Sequence, residues 1–333
     1  MAKQETRHGT LYREYRPKDF SEVRGQEHVV STLQASIKNG KISHAYLFAG
    51  SRGTGKTSIA RIFAKHLNVS DKDLYEMDAA SNRGIDEIRE LREGVHAMPF
   101  ESPYKFYILD EAHMLTKDAW NALLKTLEEP PSHCIFVLAT TELQKVPDTI
   151  QSRCEMYAFK QPSREVLSDT VVSVAKKEEY TLERSAAELI ALLAEGSFRD
   201  ALSILQKVLA VSKNKKIELS EVESVSGAPK GELVRACIEG VARRDVAKAL
   251  TAVRKAAEGE VDMRTFAKLT IHRLRAILLM RHAPELAKEL KDEFSEEDWV
   301  LAEAISKDKS ANMSADVLRK FLEAYAQIAY AAV

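Results

Sequence analysis

Three cysteines in 333 residues, a net charge of −1 and no long apolar run exclude several classes of protein at once. Cys134, Cys154 and Cys237 stand far apart and form no C-x-x-C pair. That rules out a disulfide framework and a four-cysteine zinc site, and predicts free buried thiols in a reducing compartment. No stretch approaches the roughly 20 apolar residues a membrane-spanning helix needs. The opening Met1-Ala2-Lys3-Gln4-Glu5 also lacks the apolar region of a signal peptide. The expectation is a cytoplasmic protein with no membrane contact. Charge is balanced, 49 Lys+Arg against 50 Asp+Glu, so any affinity for nucleic acid must come from local patches.

What is present is a chain with room for two or three domains, and one stretch around which it is organised. Gly50-Ser51-Arg52-Gly53-Thr54-Gly55-Lys56-Thr57 follows the apolar run Ala45–Ala49 and opens a helical pattern that begins with Ser58. This is the G-x-x-x-x-G-K-T pattern between a strand and a helix. Its glycines let successive backbone N–H groups point into one concavity that suits a polyphosphate. Lys56 is placed for the β- and γ-phosphates and the Thr57 hydroxyl for Mg²⁺, so the expected ligands are a nucleoside triphosphate and Mg²⁺. A second motif, Phe106-Tyr107-Ile108-Leu109-Asp110-Glu111-Ala112-His113, brings two adjacent carboxylates to a strand's carboxyl end. Asp110 is expected to hold Mg²⁺ through its water shell. Glu111 is expected to orient or deprotonate the attacking water. His113 reads as a packing or hydrogen-bonding residue.

From Ala45 to about Phe159, short apolar strands alternate with amphipathic helices. The strands are Tyr46–Ala49, Leu74–Asp78, Phe106–Asp110, Ile135–Thr140 and Glu155–Phe159; the helices are Lys56–Leu67, Ile85–His96 and Lys117–Leu127. The alternation predicts an α/β domain with a parallel five-stranded sheet covered on both faces, its ligands at the strands' carboxyl ends. Before it, Tyr12–Phe20 reads as an extended segment on a surface, because Pro17 disfavours a helical Arg16. Beyond Gln161-Pro162 the strand signal disappears. Ser220-Glu221-Val222-Glu223 reads as a capping box, Lys213–Lys216 as a solvated loop, and Gly227-Ala228-Pro229 as a boundary before an all-helical bundle. The expected division is 1–160, 161–227 and 228–333.

The chain resembles the AAA+ ATPases of the clamp-loader group, and within it the bacterial DNA polymerase III gamma/tau family. The resemblance is carried by Gly50–Thr57, Asp110–Leu115, Asn121–Pro131 (Asn-Ala-Leu-Leu-Lys-Thr-Leu-Glu-Glu-Pro-Pro), Leu138–Thr141 and Ser152-Arg153-Cys154. It implies a P-loop NTPase core, a helical lid and an all-α collar. It also implies a subunit that hydrolyses ATP to load a sliding clamp onto primed DNA, within a ring-like pentamer of clamp-loader subunits. Thr141 then resembles the sensor-1 residue that reads the γ-phosphate, and Arg153 the arginine finger supplied to a neighbouring subunit's site. Arg199 resembles the sensor-2 arginine at the start of a lid helix. Arg16, Pro17 and Val23, with Tyr12 and Tyr15, resemble the segment lining the adenine pocket. Asn82, Arg83 and Lys117, at or beside helix amino termini, resemble contacts to the DNA backbone, which carry no base preference and weaken with salt.

Two departures stand out. Relatives that insert a four-cysteine zinc module do so after the phosphate-loop helix; here Leu67–Asp73 runs almost directly into Leu74, so no zinc is expected. The chain also stops at Val333 without the long tail of some relatives. A branch-migration or initiator-type motor, or a scaffold subunit that binds nucleotide without turnover, remains the alternative.

Overall fold

The computed structural model describes residues 9–212, 214–259, 261–288, 290–291 and 294–331. The sequence expectations that fall on residues 1–8, Lys213, Ala332 and Val333 lie outside the described residues. The chain divides into two compact units, one formed by the amino-terminal 167 residues with Gly196–Asp200, the other by Ser168–Glu195 with Ala201 onward.

The first unit contains α1 (Leu11–Glu14), α2 (Glu27–Lys38), β1 (Ala45–Ala49), α3 (Lys56–His66), β2 (Leu74–Asp78) and α4 (Ile85–Val95). It continues with β3 (Lys105–Asp110), α5 (Lys117–Glu128), β4 (Cys134–Thr140), α6 (Asp148–Gln151) and β5 (Glu155–Ala158). All five strands are parallel, in the order β2-β3-β4-β1-β5. Each face of the sheet has its own core. Tyr46 and Phe48 of β1, with Phe106, Ile108, Ile135 and Val137, pack toward Val29, Leu33, Ile59 and Phe63 of α2 and α3. The alternate residues Ala45, Leu47, Tyr107, Leu109, Phe136 and Leu138 pack with Ile88, Val95, Trp120 and Leu123 of α4 and α5. The central strands β1 and β4 are buried along their whole length, which is why they read as continuous apolar runs rather than as alternation.

The helix α1 corrects the extended reading of the segment around Tyr12. Leu11 is buried and seeds one turn; the turn ends at Tyr15, ahead of the restriction that Pro17 places on Arg16. A single turn is too short to show a period of its own, and here tertiary burial supplies what local propensity does not.

The second unit is helical: α7 (Arg164–Lys177) enters it, followed by β6 (Thr181–Leu182), α8 (Arg184–Leu193), α9 (Phe198–Val211), β7 (Lys216–Ile217) and α10 (Leu219–Ser226). Then come α11 (Gly231–Arg243), α12 (Val246–Glu258), α13 (Met263–His282), α14 (Pro284–Lys288), α15 (Glu296–Lys307) and α16 (Ala315–Ala331). The 20-residue α13 is the post against which α11, α15 and α16 pack, through Phe266, Leu269, Leu274 and Ile277. Gly240 of α11 lies so close to α12 that a Cβ there would sit 2.6 Å from Ala249 N.

Two expectations are corrected in this unit. Strand structure does continue past Pro162, since β6 and β7 form a two-stranded parallel pair. Lys216 therefore belongs to a strand and pairs with Glu183 at 2.8 Å, not to a solvated loop. Two-residue strands are defined by their partner and leave no periodic trace. The capping box also does not form: α10 begins two residues earlier, with Glu218 as an N-cap whose side chain makes no capping bond. Glu223 instead accepts from Gly231 N at 2.9 Å, a contact made across the turn that follows the helix.

Candidate active site

The loop joining β1 to α3 is pinned from three directions. Gly50 N donates to Thr140 O at the end of β4, 3.1 Å away. Gln26, completely buried, donates from its amide to Lys160 O at 2.6 Å, accepts from Lys160 N at 3.2 Å, and reaches Thr54 O at 3.5 Å. Phe198 N donates to Gly53 O at 3.0 Å. At Gly53 the backbone has φ +73, and a Cβ would lie 2.0 Å from Ser197 Oγ. Glycine is required there both for conformation and for the approach of residues 196–200.

Gly55 starts α3 in the left-handed region with no side-chain cap. The first-turn N–H groups, those of Lys56, Thr57 and Ser58 among them, are thus left at the positive end of the helix dipole without a side-chain acceptor. Lys56 is almost fully buried, and its Nζ donates to Gly50 O at 2.7 Å and Ser51 O at 2.9 Å. Burial lowers its pKa, and Arg199 adds to this, while Glu111 and Asp110 act against it. Ser51 Oγ is buried and without a partner among the described residues. An uncapped helix start, a buried ammonium and an orphaned hydroxyl form a donor-rich cradle, and that chemistry fits a polyphosphate. Arg52 and Thr54 complete the loop, Thr54 Oγ1 donating to Ser51 O at 2.9 Å.

Asp110, at the end of β3, uses both carboxylate oxygens. Its Oδ2 accepts from Thr57 Oγ1 at 2.8 Å, and its Oδ1 from Glu111 N at 3.0 Å. One carboxylate and one hydroxyl suit Mg²⁺, which keeps water and takes phosphate oxygens as further ligands. No cluster of three or more His, Cys, Asp or Glu residues able to hold a metal by themselves occurs among the described residues.

Glu111 has φ +48. A non-glycine residue in this region costs on the order of 1–3 kcal/mol and persists where its surroundings fix it. They do so here: Thr141 Oγ1 donates to Glu111 Oε2 at 3.0 Å. His113 Nδ1 lies 3.4 Å from the same oxygen and 3.1 Å from Thr140 Oγ1, and His113 Nε2 lies 3.3 Å from Glu142 Oε1. His113 is thus part of the carboxylate's surroundings, a role its position two residues after Glu111 does not announce.

Arg199 stands 5.6 Å from the centre of the Tyr12 ring, within cation–π range. Arg16 is half-buried. Burial and the neighbouring Arg61 lower its pKa, with Arg199 in the same sense, while Glu76 and Asp110 oppose them. Arg16 therefore feels the charges of the Asp110 side of the site, whereas Val23 packs on the core beside α2 and α3. Pro17 lies between them in the irregular stretch that leads to Phe20.

Arg153 follows α6 and is one-third exposed. Its Nη1 donates to Thr149 O at 2.7 Å, and its Nη2 to Glu128 Oε1 at 2.6 Å. It is not among the groups gathered around Lys56 and Asp110.

Asn82 Nδ2 donates to Asp78 O at 3.2 Å. Arg83 O accepts from Thr116 N at 3.1 Å, which brings the start of α4 beside Lys117, the first residue of α5. Asn82, Arg83 and Lys117 thus share one edge of the unit, although Asp86 and Glu87 occupy the first turn of α4.

Sequence reasoning missed Gln26 and Ser197, and for His113 it gave the hydrogen-bonding role but not the partners. All three act through non-local contacts, and only the glycine at position 53 hinted at a close neighbour.

Comparison with known proteins places these features in a family. Residues 25–84 and 68–163 match the family model described as DNA polymerase III, delta subunit. Residues 167–214 match the model described as DNA polymerase III clamp loader subunit, ATPase lid domain. The DNA polymerase III subunit tau of Bacillus subtilis is 39% identical over 297 residues, covering 83% of this chain and 53% of that protein. The DNA polymerase III subunit gamma/tau of Mycobacterium tuberculosis is 36% identical over 300 residues, covering 83% and 52%. The chain spans about half the length of these curated relatives. Among solved structures, the RuvB Holliday junction branch migration motor of Thermotoga maritima aligns with TM-score 0.55 at 22% identity, over 71% of this chain and 85% of that one. At that identity the likeness is one of fold.

Proposed function

Since the chain belongs to the clamp-loader family of AAA+ ATPases that includes the bacterial DNA polymerase III gamma/tau subunits, we propose that it is an ATP-driven motor subunit of a clamp loader. The observation that carries the reading is the linked set Thr57–Asp110–Glu111–Thr141, in which each polar group is fixed by the next. A protein that only stored nucleotide would have no need to hold Glu111 in a strained backbone conformation beside a hydroxyl.

In this reading ATP lies along the Gly50–Ser58 cradle. Lys56 leaves its two carbonyl acceptors for the β- and γ-phosphates, and the first-turn amides of α3 hold the β-phosphate. Mg²⁺, when bound, neutralises charge on the phosphate oxygens; Thr57 and Asp110 would hold it. Glu111 accepts a proton from a water as that water's oxygen bonds to the γ-phosphorus and the bond to the bridging oxygen breaks. Thr141 orients that carboxylate, and Arg199 faces the phosphates from the segment closed over Gly53. Arg153 is directed to the γ-phosphate of an adjoining subunit, and Arg16, Pro17 and Val23 border the base.

The sliding clamp, primer–template DNA and the other subunits of a ring-like pentamer are the proposed partners. Asn82, Arg83 and Lys117 are the proposed contacts to the DNA backbone, and no zinc is required. We assign residues 1–160 to the ATPase domain, 161–227 to the lid and 228–333 to an oligomerisation collar.

The branch-migration alternative shares the fold, but such motors end in a winged or helix-turn-helix DNA-binding domain. Among the described residues from 231 onward every regular element is a helix, which favours a collar.

The test is ATP turnover of the complex assembled with its native partners, with and without clamp and primed DNA. Stimulation by both together supports the reading; turnover indifferent to both counts against it. Lys56→Ala, which removes the phosphate-binding ammonium, is the control for background hydrolysis.

A further inference from the structure

The two contacts of Arg153 define how its guanidinium is presented. Glu128 is the last residue of α5, where a carboxylate meets the negative end of the helix dipole and is disfavoured. Its Oε1 nevertheless lies 2.6 Å from Arg153 Nη2, with the two side chains 46% and 33% exposed. On the other terminal nitrogen, Nη1 donates to Thr149 O at 2.7 Å and approaches Ser152 Oγ at 3.4 Å. Thr149 belongs to α6, so the guanidinium is clamped between the ends of two helices that pack together.

We propose that Glu128 is a positioning residue for Arg153: it holds the guanidinium in the orientation that a neighbouring subunit's terminal phosphate requires. The inference rests on the reading of Arg153 as the cation lent across the seam. A guanidinium has five N–H donors in one plane. Three bonds, two on Nη1 and one on Nη2, fix the plane, and Nη2 still keeps a second N–H while Nε keeps its own. A clamped fork can therefore still offer a donor pair to phosphate, and no longer has to order a long side chain when the phosphate arrives. Sequestration is the opposite possibility, and it makes the opposite forecast, because removing the carboxylate would then raise the rate. The partly exposed guanidinium and the donors left over favour presentation. The Glu128-Glu129-Pro130-Pro131 segment has a physical role on this view: the prolines end α5 sharply, and the Glu128 carboxylate, two residues before them, reaches Arg153.

The experiment compares wild type, Glu128→Ala, Glu128→Gln, Arg153→Ala and the Glu128→Ala/Arg153→Ala double variant, each in the complex assembled with its native partners on a short primer–template. Arg153→Ala is expected to lower kcat by about 10³-fold or more. Glu128→Ala is expected to lower kcat about tenfold with KM for ATP unchanged, since misplacement of a catalytic group costs rate and not ground-state binding. Glu128→Gln, which keeps a hydrogen bond without the charge, falls between. In the Arg153→Ala background, removing Glu128 adds nothing, a result that general damage to α5 would not give. If Arg153→Ala costs nothing, the seam reading fails and this inference with it. If Arg153→Ala is slow while Glu128→Ala turns over at or above the wild-type rate, or if Glu128→Ala slows both backgrounds equally, the positioning role alone is overturned.

Discussion

Thr141 donates its hydroxyl proton to Glu111 Oε2 across 3.0 Å, although the two residues lie 30 positions apart at the ends of neighbouring strands. The parallel register of β3 and β4 makes the contact, since it sets both carboxyl ends at the same edge of the sheet. The backbone of Glu111 at φ +48 then turns its side chain toward that edge.

Glu111→Gln preserves size and the hydrogen bond from Thr141 but removes the proton acceptor. ATP affinity should stay within about threefold of wild type while turnover falls by at least ~10²-fold, the usual contribution of a positioned general base. Equilibrium nucleotide binding and single-turnover phosphate release separate the two. Normal turnover would take Glu111 out of its role.

Thr141→Val keeps the shape and removes the donor. The Glu111 carboxylate then keeps His113 beside it, and a loss of about 10-fold or more in kcat with little change in KM is expected. Adding His113→Gln to Thr141→Val should cost more than either change alone, since both side chains face the same oxygen. Steady-state kinetics of the two single variants and the pair form a double-mutant cycle. A cycle with no loss in any variant would mean that Glu111 needs neither neighbour.

The central strands β1, β3 and β4 and the phosphate loop were legible because their signals are local. A strand buried on both faces is an apolar run, and Gly50–Thr57 is a fixed spacing. The capping box at Ser220 was misread for the same reason. Its letters match a local rule, but Glu223 satisfies Gly231 N instead, and nothing within Ser220–Glu223 encodes that partner. Gln26, Ser197 and Glu128 were invisible as site residues because each acts on a loop or side chain 25 or more positions away. Lys216 joined a strand only because Thr181–Leu182 lies beside it. Where a residue's role is set by what the fold brings to it, spacing carries no trace of it.

Gly53→Ala tests whether the closure of residues 196–200 on the phosphate loop matters. The added Cβ would lie 2.0 Å from Ser197 Oγ on a backbone at φ +73, so either the loop or the segment carrying Arg199 must move. The Phe198 N to Gly53 O bond of 3.0 Å should be lost with it. ATP affinity should fall about tenfold or more while the protein stays folded, as the core below the loop is untouched. Ser197→Gly in the same chain removes the obstructing side chain and should restore part of that affinity. Nucleotide titration of the three proteins reads the effect, and equal affinities would show that the closure contributes nothing to binding.

Asp73 provides a test of stability away from the chemistry. It is fully buried ahead of β2, and its carboxylate accepts from Phe100 N at 2.6 Å and from Glu101 N and Ser102 N at 3.0 Å each. Burial alone would push its carboxyl up; the backbone N–H groups of Glu101, Phe100 and Ser102, with the Ser102 hydroxyl, outweigh this and hold it at about 2. The unfolded chain titrates near 3.9. A depressed folded pKa means that the carboxylate stabilises fully above about pH 4, and that this contribution is lost as the pH falls toward about 2. Asp73→Asn presents an amide to donors it can only partly satisfy and should destabilise the first unit by about 2 kcal/mol at pH 7. The gap between variant and wild type should narrow steadily from pH 4 downward, because wild type alone loses the charge. Urea unfolding followed by Trp120, buried in this unit, in a Trp299→Phe background reads the transition at each pH. A gap that stays constant from pH 7 to pH 3 would mean that the three N–H groups do not depend on an ionised Asp73.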